Sequence, residues 1–452
     1  MPTRLAAALA SPSPRRKLPL RQPVAETALL LGGFALLFAY LPHGLVGDDF
    51  TRFRDIQGVL HHGELSDSPF SLVMPLLSTP FLLLGEVVRS PEWWASRFNT
   101  IVVGTAAVAA FWLLRGRVDP SLLRRLLLVL LFASFLTNRL RDYNAEVLTS
   151  TLVALGLLLI VVRRRELLGW TAIAIGVANT PAALGGAGLL AVAESIRTRR
   201  VRYLAAPVAA AVLVMTEAWI RRGGPFVSGQ AGYIGVRTLL PYSGRNGFSY
   251  PFVLGVLSIL VSFGRGLVFF TPGLLLGLSR RTRTWLKEYR RLAAQMVLYV
   301  AGLVLVYAKW WSWYGGLSWG PRFFVFAAIP SSLFIVVRMQ HAGESVLADA
   351  LTLLVFTFSA WVGVSGAIAD LASLDVCASN NSAHEAFCWY VPEFSSLWRP
   401  FVQFPEVTTS KALVALWCAI VFAFLAWPLF VALARAWRTA LPPRAWATGW
   451  RL

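Results

Sequence analysis

Apolar segments long enough to cross a bilayer follow one another along almost the whole chain, from residue 25 to residue 434. A membrane-spanning helix needs about 20 predominantly apolar residues. The 452-residue sequence is 57% hydrophobic and 14% charged, whereas a typical soluble domain is about 45–50% apolar and about 25% charged. The pattern excludes a water-soluble globular enzyme and predicts an all-α, polytopic transmembrane bundle.

The net charge of +20 does not indicate a nucleic-acid partner. The basic residues lie in short clusters between apolar segments, and they do not gather on one polar domain. Lysine and arginine concentrate in the cytoplasmic loops of membrane proteins, which explains such clusters directly. We therefore expect contact with membrane lipids and no binding to nucleic acid.

The basic clusters also predict the topology. If all of them are cytoplasmic, about twelve spans are needed, and an even number leaves both termini in the cytoplasm. The predicted organisation is a basic cytoplasmic tail (1–24), a main transmembrane module (25–340) and C-terminal helices (341–452). The predicted spans are 25–46, 98–114, 123–137, 147–162, 167–178, 181–196, 201–219, 266–279, 292–308, 323–337, 346–368 and 411–434.

Three segments depart from simple alternation. Counting Ser71 to Val88 or Phe252 to Phe263 as a span would turn basic clusters outward, so both are predicted as helices at the outer interface. The first of these belongs to a long first outer loop, 47–97. The break Asn179-Thr180-Pro181 separates two short apolar segments, because proline interrupts helical hydrogen bonding. It predicts a shallow hairpin whose tip faces an internal cavity.

A later predicted outer loop, 369–411, contains Cys377 and Cys388 with ten residues between them. In an oxidising compartment this spacing favours a disulfide, so the pair is a disulfide candidate. The third cysteine, Cys418, lies in the last predicted span, where it is expected only to pack.

Asp48 and Asp49 follow the first predicted span directly. Acidic residues beside a bilayer are solvated, paired or functional. One interpretation is a solvated helix cap, since aspartate favours helix N-termini and Phe50, Phe53 and Ile56 supply an apolar face. The other is catalysis, and the pair alone does not decide between them.

A second acidic cluster, with Asp142 and Glu146, lies in the short loop before the fourth predicted span. It is either a charged loop end or, since the topology brings it to the face of Asp48 and Asp49, part of a site around a hydroxyl or a divalent cation. The cation stays open as a cofactor. The adjacent His61 and His62 do not suit one metal site from a helix.

The third element is the tryptophan-rich segment from Lys309 to Arg322. The aromatic faces of Trp313, Tyr314 and Trp319 suit sugar rings, and a fixed guanidinium grips phosphate through parallel hydrogen bonds. An interfacial aromatic belt with a snorkelling lysine would give part of the same pattern. The Gly-Gly and Gly-Pro breaks favour a shaped loop.

These motifs together resemble the GT-C superfamily of integral-membrane glycosyltransferases. The strongest are Gly47-Asp48-Asp49 after the first span and Trp319-Gly320-Pro321-Arg322 in the late loop. The layout of residues 24 to 340 is similar to the branch that contains protein O-mannosyltransferases and lipid A aminoarabinose transferases.

The resemblance implies a sugar donor carried on polyprenyl phosphate and an extracytoplasmic active site in a bacterial cytoplasmic membrane. Asp48 or Asp49 would be the general base in an inverting displacement. Arg322, with Lys309 and Arg265, would bind the donor phosphate. The outer loops are small, which favours a lipid-linked or envelope-glycan acceptor. A transporter or flippase of a lipid-linked sugar, or a noncatalytic scaffold subunit, would share the architecture.

Overall fold

The protein is described by a computed structural model that covers residues 21–227, 229–230, 237–369, 375–379 and 382–440. Most of the predicted basic tail, 1–24, and the end of the C-terminal segment lie outside these residues. Within them the chain is helical throughout, without a β-strand. Its helices are α1 (Arg21–Tyr40), α2 (Asp48–His62), α3 (Val73–Val87), α4 (Pro91–Leu114), α5 (Pro120–Phe132), α6 (Leu136–Arg139), α7 (Ala145–Val161), α8 (Glu166–Asn179), α9 (Leu184–Thr198), α10 (Ala205–Arg222), α11 (Phe252–Val261), α12 (Leu267–Phe270), α13 (Gly273–Leu276), α14 (Arg280–Trp285), α15 (Arg290–Tyr307), α16 (Ala328–Gln340), α17 (Val346–Ile368), α18 (Asp375–Ala378), α19 (Glu385–Tyr390) and α20 (Thr409–Ala440).

Seven helical segments in the described part of the chain are long and apolar enough to cross a membrane. This architecture is that of a multi-pass helical membrane protein, and the count of twelve spans stays a prediction. Four shorter apolar helices, among them α3 and α11, are 10–17 residues long. The seven segments are Gln22–Tyr40, Pro91–Leu114, Val201–Arg222, Lys287–Tyr307, Arg322–Gln340, Val346–Ile368 and Thr409–Arg438.

Two predicted helices differ from the observed ones because of proline. The first ends at Tyr40 and not at residue 46, since Pro42 disfavours a helical conformation at Leu41. The predicted span 266–279 is not one helix but the two four-residue helices α12 and α13. Thr271, before Pro272, leaves the helical region with φ −136°.

The predicted break at Asn179 is present, but its two arms do not form a hairpin packed on itself. Instead α8 packs mainly against α7, and α9 against α15. Asn179 is buried, whereas Pro181 is exposed. The Asn179 side chain accepts a hydrogen bond from Met74 N and donates to the carbonyl of Ala145. This amide therefore joins the starts of α3 and α7.

Glycine allows the closest helix contacts in the bundle. At Gly156 of α7 a Cβ would lie 2.7 Å from the carbonyl oxygen of Gly169 in α8. At Gly363 of α17 a Cβ would overlap the carbonyl of Phe132, at the end of α5. Apolar side chains gain little by leaving lipid for protein, so close backbone approach supplies much of the packing energy in such bundles.

Two of the basic clusters, 115–125 and 163–165, meet where α4 and α7 end. Arg117 donates to the carbonyl of Val162, and Arg163 to that of Leu113. Glu26 is fully buried and binds Arg124 and Arg125 at 2.8 and 2.7 Å. Removing one partner of a buried ion pair costs about 3–5 kcal/mol, so Glu26 is a structural tie between α1 and α5.

A Gly363→Ala substitution should lower the thermal unfolding midpoint in detergent, because overpacking costs about 1–3 kcal/mol and a backbone carbonyl has no alternative rotamer. Gly32→Ala is the matched control, since a Cβ there has no atom within 4 Å. Equal midpoints for the two variants would contradict this account of the packing.

Candidate functional site

The paired aspartates occupy the first turn of α2. The preceding residue, Gly47, has φ +59°, a backbone conformation that favours glycine, and it contributes no side-chain cap. Neither aspartate is therefore the capping residue, although the helix dipole favours carboxylates at this position. Both side chains are free to form ion pairs, which distinguishes them from the solvated-cap alternative.

Asp48 forms an ion pair with Arg322. The Arg322 Nη2 and Asp48 Oδ2 atoms are 2.7 Å apart, and the two side chains are 19% and 33% exposed. Arg322 begins the 3-10 turn Arg322–Ala327 that leads into α16. Its Nε is buried without a partner among the described residues. The pair thus lies at an accessible edge of the bundle and keeps an unused donor.

Asp49 points into the protein. Its Oδ1 accepts a hydrogen bond from Arg52 Nη1 at 3.2 Å, and the residue is 6% exposed. The Arg52 guanidinium lies over the ring of Phe70, 4.3 Å from its centroid. Asp49, Arg52 and Asp55 share one buried face of α2, since residues three apart are neighbours on a helix.

The second acidic cluster lies close to the first. Asp142 pairs with Arg139 at 3.4 Å, and Asn99 of α4 donates to the Asp142 carbonyl. Glu146 is 7% exposed, and its Oε2 has no partner among the described residues. Asp142 interacts electrostatically with Asp49, and Glu146 with Arg322, so the structure brings both acids near the pair of Asp48 and Arg322.

The two aspartates of α2 have opposite pKa shifts. Burial raises the pKa of Asp48, but Arg322 and Arg52 more than offset it, and the pKa lies below its usual range. Burial and the neighbouring Asp142 raise the pKa of Asp49 to about 7. At neutral pH Asp48 is ionised, whereas both the protonated and the ionised forms of Asp49 are populated.

The predicted phosphate-binding residues separate into different environments. Arg322 reaches the acidic cluster. Lys309 is exposed, and its ammonium forms no hydrogen bond or ion pair within the described part of the chain. Arg265 is 3% exposed and donates to three backbone carbonyls of the loop before Arg322. The prediction that Arg265 contacts phosphate is therefore not supported by its geometry, because its terminal nitrogens are occupied and covered.

The predicted sugar-contacting aromatic residues are also buried. Trp313, Tyr314 and Trp319 are 2%, 4% and 2% exposed. Tyr314 stacks on Trp389 with centroids 3.8 Å apart, and Trp319 packs edge-on against Phe270. All three side chains are almost fully covered, so the geometry does not support the prediction that they contact a sugar.

Cys377 and Cys388 form a disulfide in the structure, with Cα atoms 5.9 Å apart. Cys388 belongs to α19, together with Glu385 and Trp389. The disulfide therefore ties α18 to the helix that packs on the tryptophan-rich loop.

An apolar cavity of about 140 Å³ begins beside the acidic cluster. Leu136, Val147 and Val325 line its near end, and Val162 and Tyr289 line its far end. The lining residues within α7 run from Val147 to Leu158, which corresponds to about 16 Å of helix. The cavity is thus long and narrow, and it follows the helix axes.

Two arginines of the site were not predicted from the sequence. Arg52 lies three residues after Asp49 on one helix, a spacing of opposite charges that was the available signal, whereas Arg139 and Asp142 lie at the end of α6 and in the loop that follows. Among the described residues no group of three histidine, cysteine or acidic side chains is arranged to hold a metal ion. Three of the site's carboxylates, those of Asp48, Asp49 and Asp142, form ion pairs with arginine.

Comparison with models of known protein families finds no match, and comparison with curated proteins finds none either. Only the residues of the site itself indicate its chemistry. An accessible ionised carboxylate, a guanidinium with a free donor and a long apolar cavity meet at one end of the bundle.

We expect the two aspartates to respond to pH in opposite ways. The pKa of Asp49 is raised in the folded state, so its ionisation penalises folding as pH rises to about 7. Asp49→Asn removes this penalty but also leaves Arg52 without its partner, so its change in unfolding midpoint relative to the native protein should be more favourable at pH 8 than at pH 5. Asp48→Asn should lower the midpoint at pH 8 because the Arg322 pair is lost. Differential scanning fluorimetry in detergent measures both, and a less favourable change for Asp49→Asn at pH 8 than at pH 5 would contradict the assignment.

Proposed function

We propose that this protein is an inverting membrane glycosyltransferase that moves a sugar from a polyprenyl-phosphate carrier to an extracytoplasmic lipid or envelope-glycan acceptor. The main support for this proposal is the ion pair between Asp48 and Arg322. The family resemblance implies Asp48 or Asp49 as the base and Arg322, with Lys309 and Arg265, as the cations that bind the donor phosphate. The contact between Asp48 and Arg322 puts the two required charges within reach of one small substrate.

The roles follow from access and charge. A general base must first reach the proton that it removes, and of the two aspartates Asp48 is the more exposed. The acceptor hydroxyl would attack the anomeric carbon and give its proton to Asp48 while the bond from that carbon to the phosphate oxygen breaks. Arg322 would stabilise the departing phosphate.

Donor binding would also prepare the base. In the structure Arg322 pairs with Asp48 and lowers its pKa. A donor phosphate would compete with Asp48 for the Arg322 guanidinium. When Arg322 moves from Asp48 to the phosphate, the pKa of Asp48 would rise and Asp48 would become a better base. The buried Asp49 would support this exchange through Arg52 without touching the substrate.

The apolar cavity supports a polyprenyl carrier. It starts at Val147, next to Glu146 in the chain, and at Val325, three residues after Arg322, and continues along the bundle between α4, α5, α7 and α15. Lipid tails and protein interiors are similarly apolar, so a polyprenyl chain would gain little affinity by entering the cavity from the bilayer, and the cavity would select the carrier by its long, narrow shape. A nucleotide sugar would gain nothing from such a cavity.

Asp48→Asn should reduce sugar transfer from polyprenyl-phosphate sugar by about 10²–10⁴-fold, the usual contribution of a general base. Donor binding should be retained or become tighter, because Arg322 loses its internal partner. Asp49→Asn should reduce transfer less. Radiolabelled transfer to membrane lipid extracts and donor binding to purified protein measure the two effects.

The matched control is Asp67→Asn, which changes an exposed acid of the same outer loop. Normal transfer by Asp48→Asn would exclude it as the base, and a larger loss in Asp49→Asn would move the role to that residue. Purified protein that moves the donor between leaflets without transferring sugar would favour the transporter.

Narrowing the cavity tests whether the polyprenyl chain of the donor binds there. Ala154→Phe, in the cavity wall, should raise the KM for a long-chain donor and leave the KM for a short-chain donor unchanged. Leu159→Phe, on the same helix but outside the cavity lining, is the control. Equal effects on both donors would argue against a chain in this cavity.

A further inference from the structure

Arg265 is bound to the segment that precedes Arg322. Its Nη1 donates to the carbonyls of Ser318 and Gly320, the second at 2.8 Å, and its Nη2 donates to the carbonyl of Gly316 at 2.9 Å. One planar guanidinium thus joins three carbonyls spread over five residues. We call residues 315–320 the glycine loop.

The glycine loop has a conformation that needs such support. Gly315, Gly316 and Gly320 have φ values of +79°, +69° and +70°. Glycine loses more conformational freedom on folding than any other residue. The three hydrogen bonds from Arg265 offset part of that entropic cost and select one conformation of the loop.

The glycine loop contacts the side chain of Arg322. A Cβ at Gly315 would lie 2.8 Å from Arg322 Cγ and 3.2 Å from its Nε. The loop backbone therefore covers the aliphatic part of Arg322, whose other end meets Asp48. A change in the loop would move this guanidinium.

Arg265 is itself held from the outer loop 369–411. Glu385 of α19 lies close enough to raise the pKa of the guanidinium, although burial lowers it overall to about 9. The amide of Gly264 donates to the carbonyl of Trp389, 2.9 Å away. The helix containing both Glu385 and Trp389 is the one that the Cys377–Cys388 disulfide anchors.

We propose that Arg265 is a positioning residue, which holds the glycine loop so that Arg322 faces Asp48 and the donor phosphate. It does not bind the phosphate itself. The role of Arg322 toward the donor phosphate rests on the proposed function, whereas the support of the glycine loop by Arg265 does not. Lysine would not replace arginine here, because an ammonium is a point donor without the planar fork that reaches separated carbonyls.

The test compares Arg265→Lys with Arg338→Lys. Arg338 is equally buried and donates to Thr352 and to the Ala348 carbonyl, far along α16 from Arg322. Hydrogen exchange in detergent, without any donor, should become faster in residues 315–322 of Arg265→Lys only. Its donor KM should rise by roughly tenfold, corresponding to a weakened charged hydrogen bond, with kcat changed less.

Unchanged exchange in residues 315–322 of Arg265→Lys would overturn the proposal, whatever happens to donor binding. Faster exchange without any polyprenyl-phosphate affinity in the native protein would leave the loop contact standing and exclude the proposed function. The two failures are therefore distinguishable.

The native protein provides a second measurement, which applies even if Arg265→Lys does not fold. Phenylglyoxal modifies accessible arginines, and mass spectrometry locates the adducts. We expect polyprenyl monophosphate to protect Arg322 and to leave Arg265 unmodified with or without the lipid. Modification of Arg265 that the lipid prevents would show direct phosphate contact and contradict the positioning role.

Discussion

The ion pair between Asp48 and Arg322 is the interaction on which the site depends. It joins the start of α2 to the start of the segment that leads into α16, two elements far apart in the chain. A partly exposed pair contributes little stability by itself, about 0–1 kcal/mol. Its significance is therefore chemical, since it holds two opposite charges at an accessible edge where a phosphate and a hydroxyl would need them.

Burial gives the neighbouring carboxylates different properties. Asp48 keeps its charge because Arg322 and Arg52 outweigh the cost of desolvation, whereas Asp49 sits deeper and near Asp142, so its pKa rises. Two adjacent residues of one type thus acquire different protonation states. This separation is typical of sites where one acid acts and another supports it.

The site residues chosen from the sequence fall into two groups in the structure. Asp48, Asp49, Asp142, Glu146 and Arg322 were selected from the sequence, and the structure brings them to one face. Arg265 and the aromatic residues Trp313, Tyr314 and Trp319 were selected by the same chemistry but are buried in packing and loop contacts. Residue type and segment position do not reveal whether a donor is already occupied by a carbonyl or a ring face is covered by a neighbour.

The sequence by itself determined that the chain is a bundle of apolar helices, that one break lies at Asn179-Thr180-Pro181, and which loops collect the acids, because these follow from local hydrophobicity, backbone restriction and charge. Only the tertiary structure decided that α8 and α9 pack on different helices, that Gly363 meets the backbone at Phe132, and that Arg265 supports a loop. Such contacts join residues distant in the chain, and their choice depends on shape and on hydrogen-bond partners that no local pattern contains.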